Sequence, residues 1–175
     1  MTDLKLFFTG ILLSEGYPIE NVLKVLQHHF GTLIQPSQPY KFNVTDYYTP
    51  EMGAGLTRYF VAFELLQEAF ILPEMKQETI EIEHKHFTKG GNRIVNLDPG
   101  YLDSVKIVLA STKPGGHKIA LSPTIYADMV LDYYKGQFRS FDWSFPDFKM
   151  GLYDNYFQML RQTHRELANR VDVSK

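Results

Sequence analysis

Residues 5–13 read Lys-Leu-Phe-Phe-Thr-Gly-Ile-Leu-Leu, and both alternating sets are apolar: Leu6, Phe8 and Leu12 on one side, Phe7, Ile11 and Leu13 on the other. A half-buried strand alternates apolar with polar residues, so a strand that is apolar on both sides requires cover on both faces. The stretch is read as a central strand. A second nearly all-apolar and β-prone run, Thr57 to Leu65 (TRYFVAFEL), is read the same way.

Between these runs Pro18 marks a helix start, Ile19, Val22, Leu23, Leu26 and Phe30 recur at helical spacing, and Gly31 supplies the stop. Thr32 to Val44 contains Pro36 and Pro39; proline removes a ladder donor, so a strand here belongs at an edge. Pro73 to Phe87 carries two patterns. Pro73-Glu74 and the Glu81/Lys85 pair favour a helix, whereas Ile80 to His84 alternates like a strand. The helix is preferred because it follows a start signal and ends before Thr88-Lys89-Gly90-Gly91. Arg93 to Leu97 is then a short strand, and Asp98-Pro99-Gly100 a turn.

The resulting order, β-α-β-β-α-β, is the split pattern of ferredoxin-like folds. Such a sheet leaves one face bare, and the rest of the chain must cover it. Val105–Ala110, Lys118–Leu121, Ile125–Tyr134 and Phe138–Trp143 read as an antiparallel meander, the last two joined across Lys135-Gly136-Gln137. In Ile125–Tyr134 the alternation separates a core set (Ile125, Ala127, Met129, Leu131, Tyr133) from a solvent set (Tyr126, Asp128, Val130, Asp132, Tyr134). After a turn at Phe145-Pro146-Asp147, a C-terminal helix runs from about Leu152 to Ala168, with Tyr153, Tyr156, Phe157, Leu160, His164 and Leu167 on one stripe. The expected fold is α+β, in one domain: a ferredoxin-like βαββαβ core over residues 1–100, extended over 101–175 by the meander and the helix.

At 175 residues and 44% hydrophobic content the chain can bury roughly 70% of its unfolded surface. A formal charge of -2, from 18 Lys plus Arg against 20 Asp plus Glu, comes with no basic run, so nucleic acid is not an expected partner. The absence of cysteine excludes disulfides and thiolate metal sites. No apolar run approaches the ~20 residues that span a bilayer, and Met1 to Lys5 leads directly into a strand. Neither a signal peptide nor a membrane partner is expected, and the cytoplasm is the default location. Aromatic content is high, with 11 Tyr and 13 Phe; tyrosines suit pocket edges, where the hydroxyl finds a partner.

Three polar clusters could carry chemistry. Thr45-Asp46-Tyr47-Tyr48-Thr49-Pro50-Glu51-Met52-Gly53 places two carboxylates and two phenols between strands; paired carboxylates suit a divalent cation such as Mg²⁺ or acid–base work, and turn chemistry with tyrosines on a sheet edge explains the same residues. Asn96 and Asp98 could project from a strand end into a cleft with Tyr101 as a stacking wall, or form a tight turn with an Asx hydrogen bond. Ser111-Thr112-Lys113-Pro114-Gly115-Gly116-His117-Lys118 offers backbone N–H groups and Lys113 to a phosphate and His117 as acid or base, and reads equally as a hairpin loop. His84 and His86 share a side only on a strand and are surface residues on a helix; His28 and His29 suit a helix C-terminus. The P-loop, G-x-G-x-x-G, H-E-x-x-H and G-x-S-x-G patterns are absent.

Asp46-Tyr47-Tyr48-x-Pro50-Glu51-Met52-Gly53, Val95-Asn96-Leu97-Asp98-Pro99-Gly100-Tyr101-Leu102, Leu109-Ala110-Ser111-Thr112-Lys113 and Ile125-Tyr126-Ala127, in this order, resemble domain of unknown function family DUF4416 over nearly the whole chain. Members of that family are often labelled GTP-binding proteins. A conventional GTPase needs a phosphate-cradling loop and N-K-x-D, and this chain has neither, so a nucleotide would be held in another way, with the Ser111 to Lys118 loop or Lys106 near its phosphates. The resemblance favours one shared cleft over three unrelated turns. The leading expectation is a module binding a small anionic or phosphorylated ligand, through Tyr47, Tyr48, Asn96, Asp98, Tyr101, Thr112, Lys113, His117 and Tyr126. A second is a metal-assisted hydrolase or transferase, with Asp46, Glu51 and Asp98 holding the ion and His117 moving a proton. A third is an interaction protein whose aromatic last helix supports a homodimer.

Overall fold

The computed structural model describes residues 3–173. Its elements are β1 (Lys5–Leu13), α1 (Ile19–Phe30), β2 (Tyr40–Lys41), α2 (Thr49–Met52), β3 (Thr57–Gln67), α3 (Leu72–His86), β4 (Thr88–Lys89), β5 (Asn92–Arg93), β6 (Val95–Leu102), β7 (Lys106–Ser111), β8 (Ile119–Ala120), β9 (Tyr126–Tyr134), β10 (Gln137–Ser140), α4 (Pro146–Lys149) and α5 (Asp154–Val173). All nine residues of β1 are buried, because the strand pairs antiparallel with β3 on one side and β6 on the other and is packed on both faces. The order β6-β1-β3-β2 places the four core strands fourth, first, third, second, as the split βαββαβ pattern requires, and β2 is a two-residue edge strand. The meander adds β7, β9 and β10 beside β6, with β8 paired to β9.

On one face Phe7, Ile11 and Leu13 pack with Val22 and Leu26 of α1 and with Leu72, Met75 and Ile82 of α3. On the other, Leu6 and Phe8 meet Phe148, Tyr153 and the α5 residues Tyr156, Phe157 and Leu160. Each fully buried side chain of this kind contributes about 1.5–3 kcal/mol. The aromatic stripe of the last helix is thus spent inside this chain, covering the face that the ferredoxin-like sheet leaves bare. The helix itself runs to Val173, past the expected end, and Phe145-Pro146-Asp147 opens the short helix α4 instead of a plain turn.

Two further local expectations fail, each for a physical reason. Asp98-Pro99-Gly100 is no turn, since β6 continues through it to Leu102. The N–H and C=O of Leu97 point away from β1, toward Glu83 and Lys76 of α3. By strand alternation the missing N–H of Pro99 falls on that same side, where the β6–β7 ladder has ended: its pairs run from Leu102↔Ile107 only to Gly100↔Leu109. Gly100 serves close approach, because a Cβ there would stand 2.4 Å from the Val108 carbonyl oxygen and 2.9 Å from the Phe8 ring. In β9, register shifts between Ile107↔Leu131 and Val108↔Met129, so Val130 is an extra residue and the in–out phase reverses across it. Asp128 and Val130 of the supposed solvent set are consequently buried, at 2% and 0% exposure, while Met129 is exposed.

Gly100→Ala is expected to cost about 1–3 kcal/mol, because the new methyl meets backbone that cannot yield like a side chain. Chemical denaturation of the two proteins checks this, and an unchanged midpoint would refute the close-approach account of the Pro-Gly pair.

Candidate functional site

The antiparallel registers bring one end of every long strand together. Leu13 stands beside both Thr57 and Val95, and Ser111 beside Tyr126. The loops containing Asp46 to Gly53 and Ser111 to Lys118 leave from this end, where β6 and β7 part. Because Pro99 ends the ladder, a wedge opens between the two strands, and charged side chains from both sides of the sheet fill it.

Arg58 on β3 and Asp98 on β6 reach across the central strand, joined by Nη1 to Oδ2 at 3.1 Å. The residue beneath them is Gly10, where a Cβ would lie 3.1 Å from Arg58 Nη1 and 3.2 Å from the Phe60 ring. Arg58 is only 7% exposed; its guanidinium lies 4.9 Å from the Phe42 ring centroid, and its Nε is buried without an acceptor. Lys76, also 7% exposed, comes from α3 through the wedge, donating to the Leu97 carbonyl at 3.0 Å and standing 3.7 Å from Asp98 Oδ1. Burial alone would raise the Asp98 carboxyl, but the Lys76 and Arg58 charges more than offset it and hold the group below the ordinary carboxylate range.

Asn96 links this pair to a second one. Its Nδ2 donates to Asp98 Oδ2 at 2.8 Å, and its Oδ1 accepts from Arg93 Nη1 at 2.7 Å. Arg93 grips Glu51 with Nε and Nη2, each at 2.8 Å, and gives Nη1 to Glu83 at 3.0 Å. Such a two-point grip is the strong form of the interaction. Glu83, 3% exposed, also accepts the Leu97 N–H at 2.5 Å; burial pushes its carboxyl up despite that bond and the nearby Lys76. Tyr48 lies within the field of Asp98, and burial first, then that charge, push its hydroxyl upward.

The rim joins two of the expected loops. Tyr47 and Tyr48 meet edge to face at 5.0 Å, and Lys113 places its ammonium 3.6 Å from the Tyr47 ring centroid. Beyond Lys113, Lys118 Nζ donates to Ser111 Oγ at 2.9 Å and stands 3.4 Å from Asp128 Oδ2, while His117 Nε2 lies 3.4 Å from Asp128 Oδ1. Tyr126, paired with Ser111, borders this group.

Of the residues singled out from sequence, Tyr47, Tyr48, Glu51, Asn96, Asp98 and Lys113 fall together, with His117 and Tyr126 alongside. Tyr101 does not join them: strand alternation turns it to the opposite face from Asp98, where its ring packs 5.7 Å from Phe7. Asp46 and Thr112 are exposed loop residues. Glu51 and Asp98 are engaged by guanidinium groups, and among the described residues no group of three or more His, Asp or Glu could hold a metal ion. Arg58, Lys76, Glu83, Arg93 and Asp128 were missed. Signals existed for three of them: Arg58 interrupts an apolar strand run, and Lys76 and Glu83 share the buried spacing of Leu72, Met75, Thr79 and Ile82 on α3.

Fold and site together define an α+β domain with a ferredoxin-like core, in which two strands part around a charged network. The chain belongs to the family described as Domain of unknown function (DUF4416), whose model matches residues 3–164. Searches of curated proteins and of solved structures give no match. Among the described residues no helix is long and apolar enough to cross a membrane.

Asp98→Ala is expected to cost about 3 kcal/mol or more, since it leaves the buried Arg58 charge uncompensated. The pH sign follows from the lowered Asp98 carboxyl: its stabilisation is complete above the ordinary carboxylate range near pH 4 and is lost as pH falls through the lowered value. Asp98→Asn should therefore remove part of the acid dependence of unfolding. Urea titrations from neutral pH downward check both.

Proposed function

We propose that the charged end of the sheet, from Arg58 over β1 to the parting of β6 and β7, and its tyrosine rim bind a small anionic or phosphorylated ligand, a nucleotide being one member of that class. The observation that carries this reading is Arg58: a buried guanidinium with one hydrogen bond to a carboxylate and a buried Nε without an acceptor. Guanidinium groups suit the planar, two-point recognition of carboxylates and phosphates. Lys113 at the rim and Lys118 behind it add positive charge on the approach, and the Tyr47 ring, 61% exposed, gives a flat group a surface to stack on. A site with a divalent ion on Asp46, Glu51 and Asp98 has less support, since an ion there would first have to displace Arg93 and Arg58.

Thermal-shift screening against nucleotides, phosphorylated metabolites and dicarboxylates, with and without magnesium, tests the reading. A ligand at 100 times its dissociation constant adds about 2.7 kcal/mol, which for a domain of this size raises Tm by roughly 5–10 °C. Lys113→Ala and Tyr47→Ala, both at exposed positions, should each reduce the shift while leaving the unliganded Tm within about 2 °C. No shift from any compound at millimolar concentration would refute it.

A further inference from the structure

Asp128 is the most deeply buried carboxylate beside the rim, at 2% exposure, and it faces an imidazole and an ammonium from one loop. Its Oδ1 accepts no hydrogen bond. A buried carboxylate oxygen without a donor is costly, and His117 Nε2 stands 3.4 Å from it without making a hydrogen bond. The imidazole is held flat against the Trp143 ring, with centroids 5.2 Å and planes 17° apart. Trp143 is fixed in turn by stacking on Phe141 at 4.7 Å and by donating Nε1–H to the Met129 carbonyl at 2.9 Å. Nε2 is the ring nitrogen nearer Asp128, at 3.4 Å and without a hydrogen bond, and Nδ1 has no protein partner among the described residues. An imidazole held between a buried carboxylate and an indole ring, with a nitrogen left unpartnered, can take a proton in its neutral form.

The charged groups facing His117 are Asp128 from β9 and, on its own loop, Lys118, whose ammonium is bound by Ser111 Oγ at 2.9 Å and by the Lys113 carbonyl at 3.2 Å. From the segment after β10 the neutral Trp143 ring stacks on it. A base, an ammonium and a hydroxyl are thus held together beside the proposed anion site.

We propose that His117 is a general base that hydrolyses a phosphate ester or anhydride bound in this cleft, with Asp128 as its positioning residue; this rests on the anion-binding reading above. A water oxygen bonds to phosphorus as the bond from phosphorus to the leaving oxygen breaks. The water proton passes to His117 Nδ1 and from there to the leaving oxygen, so the products are inorganic phosphate, or a phosphorylated fragment, and an alcohol or shorter phosphate. Lys118 and Lys113 offset negative charge on the transferred group.

The test measures phosphate release from p-nitrophenyl phosphate and from adenosine and guanosine triphosphates, with and without magnesium, beside thermal shifts with the same compounds. Wild-type protein should release phosphate faster than buffer alone. His117→Asn should lower the rate by 10²-fold or more while leaving the thermal shift intact. The near-isosteric Asp128→Asn should lower the rate at least tenfold and change the pH profile, with an unfolding midpoint close to wild type showing that the fold survives. Thermal shifts without phosphate release, or a wild-type rate in His117→Asn, overturn this proposal alone. Absence of any thermal shift and of any release overturns the anion-binding reading together with it.

Discussion

The ion pair of Arg58 and Asp98 sets the terms for the functional end of the molecule. Its close fit depends on Gly10 of the central strand beneath it, where a guanidinium and a carboxylate from the two flanking strands meet over bare backbone. Asp98 is then fixed, and through the Asn96 amide it is joined to a second charged group of Arg93 with Glu51 and Glu83. Buried charges of this kind are tolerable only when each has a partner, so the network specifies a geometry more than it adds stability. Arg58 Nε is the point at which that partnering stops.

The parting of β6 from β7 follows from two residues with opposite effects. Pro99 cannot donate to a neighbouring strand, and Gly100 allows a neighbour to come closer than any other residue would. Placed in succession inside one strand, they close the ladder on one side and end it on the other. The backbone groups of Leu97 released by this ending are not lost to water, because Glu83 and Lys76 of α3 take the N–H and the C=O. A helix thereby does the work of a missing strand, and its charged side chains gain a path from one layer of the fold to the other.

The core was legible in sequence because hydrophobic period is a local property. β1, α1 and α3 were found within a residue of their bounds, and the pairing order followed from the element order. Where a residue's meaning depends on a partner far along the chain, local reading failed. Asp-Pro-Gly has the composition of a turn, and only its pairing with β1, at a point where the ladder with β7 has ended, makes it a strand. Asp128 has the spacing of a solvent residue, and only the register against β7 turns it inward. Glu51, Asn96, Asp98, Tyr47, Tyr48 and Lys113 were legible as candidates from their polar loop setting, but the cations that organise them, Arg58, Lys76 and Arg93, sit in or beside regular elements where charge is read as surface. The convergence of the loops is a property of strand direction, visible only once all strands are in place.

The extra residue at Val130 works as a change of reading frame within β9. Upstream of it the strand presents Asp128 toward the interior beside the rim; downstream it presents Leu131 toward the last helix. Paired without the bulge, the same residues would put Asp128 and Leu131, three positions apart, on opposite faces, and the strand could keep either the carboxylate or the hydrophobic seam facing inward, but not both. The bulge thus lets a single strand serve the polar end of the sheet and its apolar middle, and it makes the placement of Asp128 depend on the pairing of β9 with β7 as much as on the identity of the residue.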